Sequence, residues 1–257
     1  MRTKRDLVVV LGCIIFLLAT LGTIGDSGRR RAKEMVCLSN LRQWGAALMM
    51  FAEDNDGYFM GGRSITDWRN NIWWAALEPY YLDRNLLCCP MAKDPYKNPW
   101  EGYGNFGTWG PTWFPDGFYG SYGLNEWICN PVFKKGEWPM YGDEKKYWRT
   151  ANVAGMDKIP LLADSWWSQG WCEAFDWIPT YPGEWEGRFG DDVAQFCIVR
   201  HDGGINGIFL DGSAKRIELQ CLWRLKWNRL SDMEEAPTPE EFPDWLKELP
   251  ECNLELE

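Results

Sequence analysis

A chain of 257 residues with 46% apolar content can enclose a core of its own, and a net charge of −10 argues against nucleic-acid binding, which wants a basic stripe. The charge is uneven: between Asp232 and Glu257 ten acidic residues stand against Lys247 alone, so the end of the chain carries −9 and reads as a solvated tail, while the rest is close to neutral. Nine cysteines and one histidine show no metal-type spacing, and the eight cysteines other than Cys13 suit disulfides in an oxidising compartment, with buried thiols as the alternative.

An uncharged apolar run extends from Leu7 to Gly25. Its length approaches the ~20 residues that cross ~30 Å of hydrocarbon as a helix. No small-x-small cleavage site follows between Ala19 and Ser27, so the run reads as a membrane anchor rather than a secretory signal. Arg2, Lys4 and Arg5 precede it and Arg29, Arg30, Arg31 and Lys33 follow it, which leaves orientation to the cysteines. They place the C-terminal domain outside the cytoplasm, on a single-pass protein of the inner membrane.

Cys37, Leu41, Trp44, Leu48 and Phe51 recur at spacings of four, three, four and three, which predicts a helix over about Ser27–Asp54. Asn55-Asp56-Gly57 ends it, with Gly57 in the left-handed conformation. The span and this helix form one long rod, and residues 1–57 are the anchor unit. Residues 58–231 are then an α+β domain and 232–257 the tail with a short helix.

Fourteen of the eighteen tryptophans lie between Tyr58 and Gly190, among many Gly and Pro. A short helix is expected at Trp73–Tyr81 and a strand at Ile159–Ala163, with the Trp-rich loops forming a second layer. Ala194–Arg200, Ile205–Leu210 and Ala214–Leu219 read as strands of an antiparallel meander, the last two joined at Asp211-Gly212. A helix is expected over Gln220–Leu230. Another begins at Thr238, with Pro239 at N1, Glu241 completing a capping box, and Phe242, Trp245, Leu246 and Leu249 inside.

His201 ends one expected strand, and Asp211-Gly212 follows after nine residues. The simplest role for His201 is a clamp, its ring hydrogen-bonded within the hairpin. A metal or catalytic role requires a cleft in which at least two of Asp164, Asp202 and Asp211 converge on it. Trp166, Trp167 and Trp171 beside Asp164 are candidates for stacking on a sugar ring, the alternative being that they fill a loop-rich layer. No carboxylate pair, nucleophile motif, Walker loop or dinucleotide fingerprint stands out, so neither enzymatic activity nor a cofactor is expected.

Four segments together resemble the pilin-like proteins with a C-terminal H-x9-D-G motif found in planctomycetes, verrucomicrobia and lentisphaerae. They are Cys37-Leu38-Ser39-Asn40-Leu41-Arg42-Gln43 with Phe51 to Tyr58, Leu87-Cys88-Cys89-Pro90, Ser121-Tyr122-Gly123-Leu124-Asn125, and His201 to Asp211-Gly212. The resemblance implies a long N-terminal helix laid on an antiparallel sheet, as in type II secretion pseudopilins, self-assembly or assembly with other such subunits, and a structural role. The chain departs from the usual leader: it has no Gly-Phe pair, and no acid lies inside 7–25, Asp6 being at its border. Because Cys37, Cys88 and Cys89 fall in matching segments, a disulfide from Cys37 to Cys89 or Cys88 is expected, closing a loop worth about 4 kcal/mol in the chain-entropy model. The alternative function is a membrane-tethered carbohydrate-binding module.

Overall fold

The computed structural model describes residues 4–62, 72–92, 104–110, 117–132, 143–184 and 192–253, with the side chains of 4–8, 15 and 17–24 left undescribed. A single helix, α1, runs over Lys4–Asp54. It does not stop where the apolar run ends but continues through Asp26, Arg29, Arg30, Arg31 and Lys33. Among the described residues no helix is long and apolar enough to cross a membrane. The expected anchor and the single-pass inner-membrane location are therefore not supported; the side chains of 17–24, part of the run 7–25 on which that expectation rests, lie outside the described residues.

The C-terminal half of α1 follows its periodicity. Cys37, Leu41, Trp44 and Leu48 are fully buried and Phe51 half-buried, so the predicted stripe is the face laid on the core. The helix ends as the Asn-Asp-Gly run predicts: Asp56 and Gly57 take φ of 56° and 85°, and the Gly57 N–H bonds the Ala52 carbonyl at 2.8 Å. Gly45 lets the helix lie close to the sheet, since a Cβ there would stand 2.9 Å from Cγ1 of Ile208.

The sheet has five strands: β1 (Tyr122–Asn125), β2 (Pro160–Asp164), β3 (Gln169–Gly170), β4 (Gly204–Phe209) and β5 (Ala214–Glu218), in the order β3-β1-β2-β4-β5. β1–β2, β2–β4 and β4–β5 are antiparallel, but β3 pairs parallel to β1, so the sheet is mixed rather than purely antiparallel. The β4–β5 hairpin forms as read. Gly212 sits at φ 83°, and Asp211 Oδ1 accepts from the Ser213 N–H and hydroxyl at 2.8 and 2.7 Å.

Two expected elements are replaced. Residues 194–200 are not a strand: a 3-10 turn covers Asp192–Gln195, and the amides that follow bond locally or to the Asn105 side chain instead of to a neighbouring strand. The helix expected over 220–230 is only a 3-10 turn, Leu219–Arg224. Leu219, Cys221, Leu222, Trp223, Leu225 and Trp227 are all buried, which leaves no polar face for a longer surface helix. The helix at 73–81 splits into α2 (Trp73–Ala76) and a 3-10 turn at Glu78–Tyr80. The capping box of Thr238 and Glu241 forms on a 3-10 turn, with α3 (Asp244–Lys247) after it.

The tryptophans take over a task that strands and helices perform elsewhere. Buried carbonyls of irregular backbone need donors, and indole N–H groups supply them: Trp44 to Leu86, Trp73 to Ser168, Trp109 to Tyr122, Trp127 to Cys172, Trp148 to Trp227 (whose carbonyl also takes the Asn125 side-chain amide), Trp223 to Asp176, and Trp227 to Leu222. Their rings pack together as well, Trp44 edge-on to Trp73 at 5.0 Å and Trp74 stacked on Trp109 at 4.4 Å.

In this layer Asp176 is buried, and its Oδ2 accepts from the Glu173 and Val193 N–H groups at 3.1 and 2.9 Å. Burial pushes its carboxyl up to about 8 against those bonds, with the charges of Asp192 and Glu173 adding to the rise. The folded carboxyl thus keeps its proton where the unfolded one, at about 3.9, has lost it. This contribution to stability is complete below about pH 4 and is lost as pH rises towards 8, at up to ~1.4 kcal/mol per pH unit. Asp176→Asn, which keeps an acceptor oxygen, should flatten the slope of urea-unfolding free energy between pH 5 and 8; an unchanged slope would refute the assignment.

The acidic end is not a loose tail. Phe242 and Leu246 are buried, Gln220 donates to the Leu246 and Leu249 carbonyls, and a Cys221–Cys252 disulfide joins it to the body. Its 31-residue separation is worth about 3.5–4 kcal/mol in the chain-entropy model. It is the one disulfide among the described residues. Cys13, Cys37, Cys88, Cys89, Cys129, Cys172 and Cys197 carry none, so a framework of four bridges is not formed.

Candidate functional site

His201 is placed by a two-residue turn. The His201 N–H bonds the Gly204 carbonyl at 2.9 Å and the Gly204 N–H returns to His201 at 3.1 Å. Asp202 and Gly203 between them have φ of 45° and 96°, the paired left-handed conformation that a tight hairpin needs and that Asp-Gly favours. The turn delivers the imidazole to the open end of β2, where Asp164 closes a run of otherwise apolar residues.

There Asp164 Oδ2 lies 3.1 Å from His201 Nε2, and Oδ1 accepts from Arg200 Nη1 at 3.1 Å. The Asn206 N–H donates to Oδ2 at 2.9 Å. Arg200 is as buried as its partner. Its other donors reach the carbonyls of Asn105 (3.0 Å), Gly107 (2.8 Å), Ser121 (2.7 Å) and Ser165 (3.3 Å), so the guanidinium ties three irregular segments to the sheet.

Two thiols complete the group. Cys37, from the buried stripe of α1, sits 3.6 and 3.7 Å from the Asp164 oxygens and accepts from the Tyr122 hydroxyl at 3.4 Å. Cys89 is held by its own N–H on Ser121 Oγ at 2.7 Å; its Sγ lies 3.3 Å from His201 Nε2 and accepts from the Met91 N–H at 3.4 Å. Cys37, Cys89, Asp164 and His201 are all buried, and their donor atoms lie within 4.8 Å of one another.

The electrostatics are tightly linked. Burial and the Asp164 charge would push the Cys89 thiol up, but hydrogen bonding from Cys37 and His201 and the Arg200 charge pull it down to about 7. Burial and the contacts with Cys89 and Asp164 hold Cys37 well above the usual thiol range. Burial works against the charged imidazole, yet the bonds to Asp164 and Cys89 raise His201 to about 10. Burial opposes the Asp164 charge too, and His201 and Arg200 outweigh it to keep the carboxyl below its ordinary value.

The expected clamp is thus half right in geometry: His201 is buried and bonded, but to Asp164 and Cys89 rather than within its own hairpin. Of the three acids named for a metal or catalytic role only Asp164 converges; Asp202 and Asp211 are exposed, and Asp211-Gly212 is a turn. The thiols of Cys37 and Cys89 lie in one cluster, but the disulfide expected from Cys37 to Cys89 or Cys88 is not formed. A Cys–His–Asp relay places thiol and carboxylate on opposite ring nitrogens. Here both address Nε2, so the arrangement is not a relay.

The sugar-stacking candidates fall elsewhere. Trp166 and Trp171 are buried, Trp167 is half-buried, and the Trp171 indole donates to the Tyr147 hydroxyl at 3.0 Å. Burial takes from Trp166 and Trp171 the open face that a sugar ring needs. Sequence reasoning pairs His201 with acids and Cys37 with Cys89 separately, and misses that both pairs meet. It also misses Arg200, whose signal was an arginine flanked by an apolar run and the lone histidine. No protein-family model, curated protein or solved structure matches the chain.

Proposed function

We propose that the chain is a pilin-like, pseudopilin-like structural or assembly subunit of a type II secretion or type IV pilus-like system. The observation that carries this reading is the two-part helix. The C-terminal half of α1 is packed on the sheet, while on the N-terminal half Val9, Val10, Leu11 and Ile14 are 48–63% exposed. Apolar side chains grouped on a projecting helix are an interaction surface, and a second copy of the same helix is the simplest partner. The Cys221–Cys252 bridge supports a place for the domain in an oxidising compartment. The reading does not depend on membrane insertion.

The full chain should sediment as concentration-dependent oligomers or filaments. Val10→Arg with Ile14→Arg should leave a monomer with the wild-type thermal transition, because these side chains lie far along the helix from the head. A wild-type chain that stays monomeric throughout, or a double variant that assembles equally well, would defeat the proposal.

A further inference from the structure

We infer that Cys37, Cys89, Asp164 and His201 form a closed tetrahedral binding site for a thiophilic divalent cation, zinc foremost. Zinc binds sulfur at about 2.3 Å, nitrogen at about 2.0–2.1 Å and oxygen at about 2.0–2.2 Å, so a regular tetrahedron of these ligands has edges of roughly 3.3–3.8 Å. The three edges formed by His201 with Asp164, His201 with Cys89, and Cys37 with Asp164 measure 3.1, 3.3 and 3.6 Å, and no donor pair is further apart than 4.8 Å. Four protein ligands with no open position make a structural rather than a catalytic site.

Three further observations support it. Cys89 and Asp164 face the same imidazole nitrogen, the arrangement expected of donors around one central ion. Each thiol and the carboxylate is oriented from outside the set, by the Tyr122 hydroxyl, the Met91 N–H, and the Asn206 N–H with Arg200 respectively. Charge balances in the buried volume as well: a divalent ion with two thiolates, one carboxylate and a neutral imidazole carries −1, which Arg200 neutralises. That matters because uncompensated charge is costly away from water. The ligands come from α1, the Cys-Cys-Pro loop, β2 and the His201 hairpin, so the ion would lock the helix to the sheet. A cleft beside α1, lined by Asn40, Gln43 and Leu87, reaches Cys88 and Cys89 and supplies an entry path.

The test uses the full chain, purified under a non-chelating reductant. Metal analysis should find about one zinc per chain. Iodoacetamide with peptide mapping should modify exposed Cys13 at once, and Cys37 and Cys89 only after a chelator is added. Cobalt(II) should replace zinc with tetrahedral ligand-field bands and a thiolate-to-cobalt charge-transfer band. Cys89→Ser and His201→Gln should each weaken zinc binding by more than about 100-fold, beyond the 10–100-fold typical of an outer partner. Should either variant fail to fold, the wild-type cobalt spectrum and alkylation pattern decide alone. A reduced chain that takes up neither zinc nor cobalt overturns the inference, whether or not Cys37 and Cys89 form a disulfide on oxidation. So does bound zinc with Cys37 and Cys89 alkylated equally with and without chelator.

Discussion

Arg200→Met is expected to lower the unfolding free energy by about 3–5 kcal/mol, the range for removing one member of a buried ion pair. The reason lies in what remains. Asp164 is fully buried and held ionised by His201 and Arg200, and without the guanidinium it keeps His201, the Asn206 N–H and the weak Cys37 thiol donor to offset its charge. Four backbone carbonyls lose the guanidinium at the same time, that of Ser121 keeping the Ser165 N–H. Urea unfolding should be followed with a chelator present, so that the ion pair alone is read. Adding Asp164→Asn to the variant should recover part of the loss, because it removes the charge that Arg200 offsets. A loss below about 1 kcal/mol would mean that the pair does not hold the site together.

Trp44→Ala is expected to cost about 3–5 kcal/mol, as large-to-small changes at fully buried aromatic positions do. Its ring packs edge-on against Trp73 at 5.0 Å and Tyr81 at 4.7 Å, and its indole N–H satisfies the Leu86 carbonyl at 2.8 Å. Trp44→Phe keeps most of the packing and loses the donor, so it should fall between. Glu53→Ala, exposed on the same helix, should lie within about 0.5 kcal/mol of wild type. If Trp44→Ala cost no more than Glu53→Ala, α1 would not be part of the folded core.

Functional legibility was uneven, for reasons visible residue by residue. The buried stripe of α1 was readable because a 3.6-residue period is imposed by local geometry and survives in the order of residues. Gly57 and Asp211-Gly212 were readable because positive φ is a steric property of a few residue types. Residues 194–200 misled because Phe196, Ile198 and Val199 favour strands only where a neighbouring strand offers hydrogen bonds, whereas their amides bond locally or to the Asn105 side chain. The tryptophans left sugar stacking and a loop-rich layer both open, since a high Trp count does not say whether indole faces meet solvent or irregular backbone.

From its order of residues alone this chain determined the long amphipathic helix and its stop, the β4–β5 hairpin and the capping box at Thr238. Each depends on contacts between near neighbours, whose sterics and periodicity the residues carry with them. Only the tertiary structure decided that Cys37 meets Asp164 across 127 residues and Cys89 meets His201 across 112, and that Arg200 neutralises the group. The same holds for the pairing of Cys221 with Cys252. Such contacts follow from how the helix, sheet and Trp-pinned loops pack, and a lone histidine or an isolated thiol has no local pattern from which its distant partner can be read.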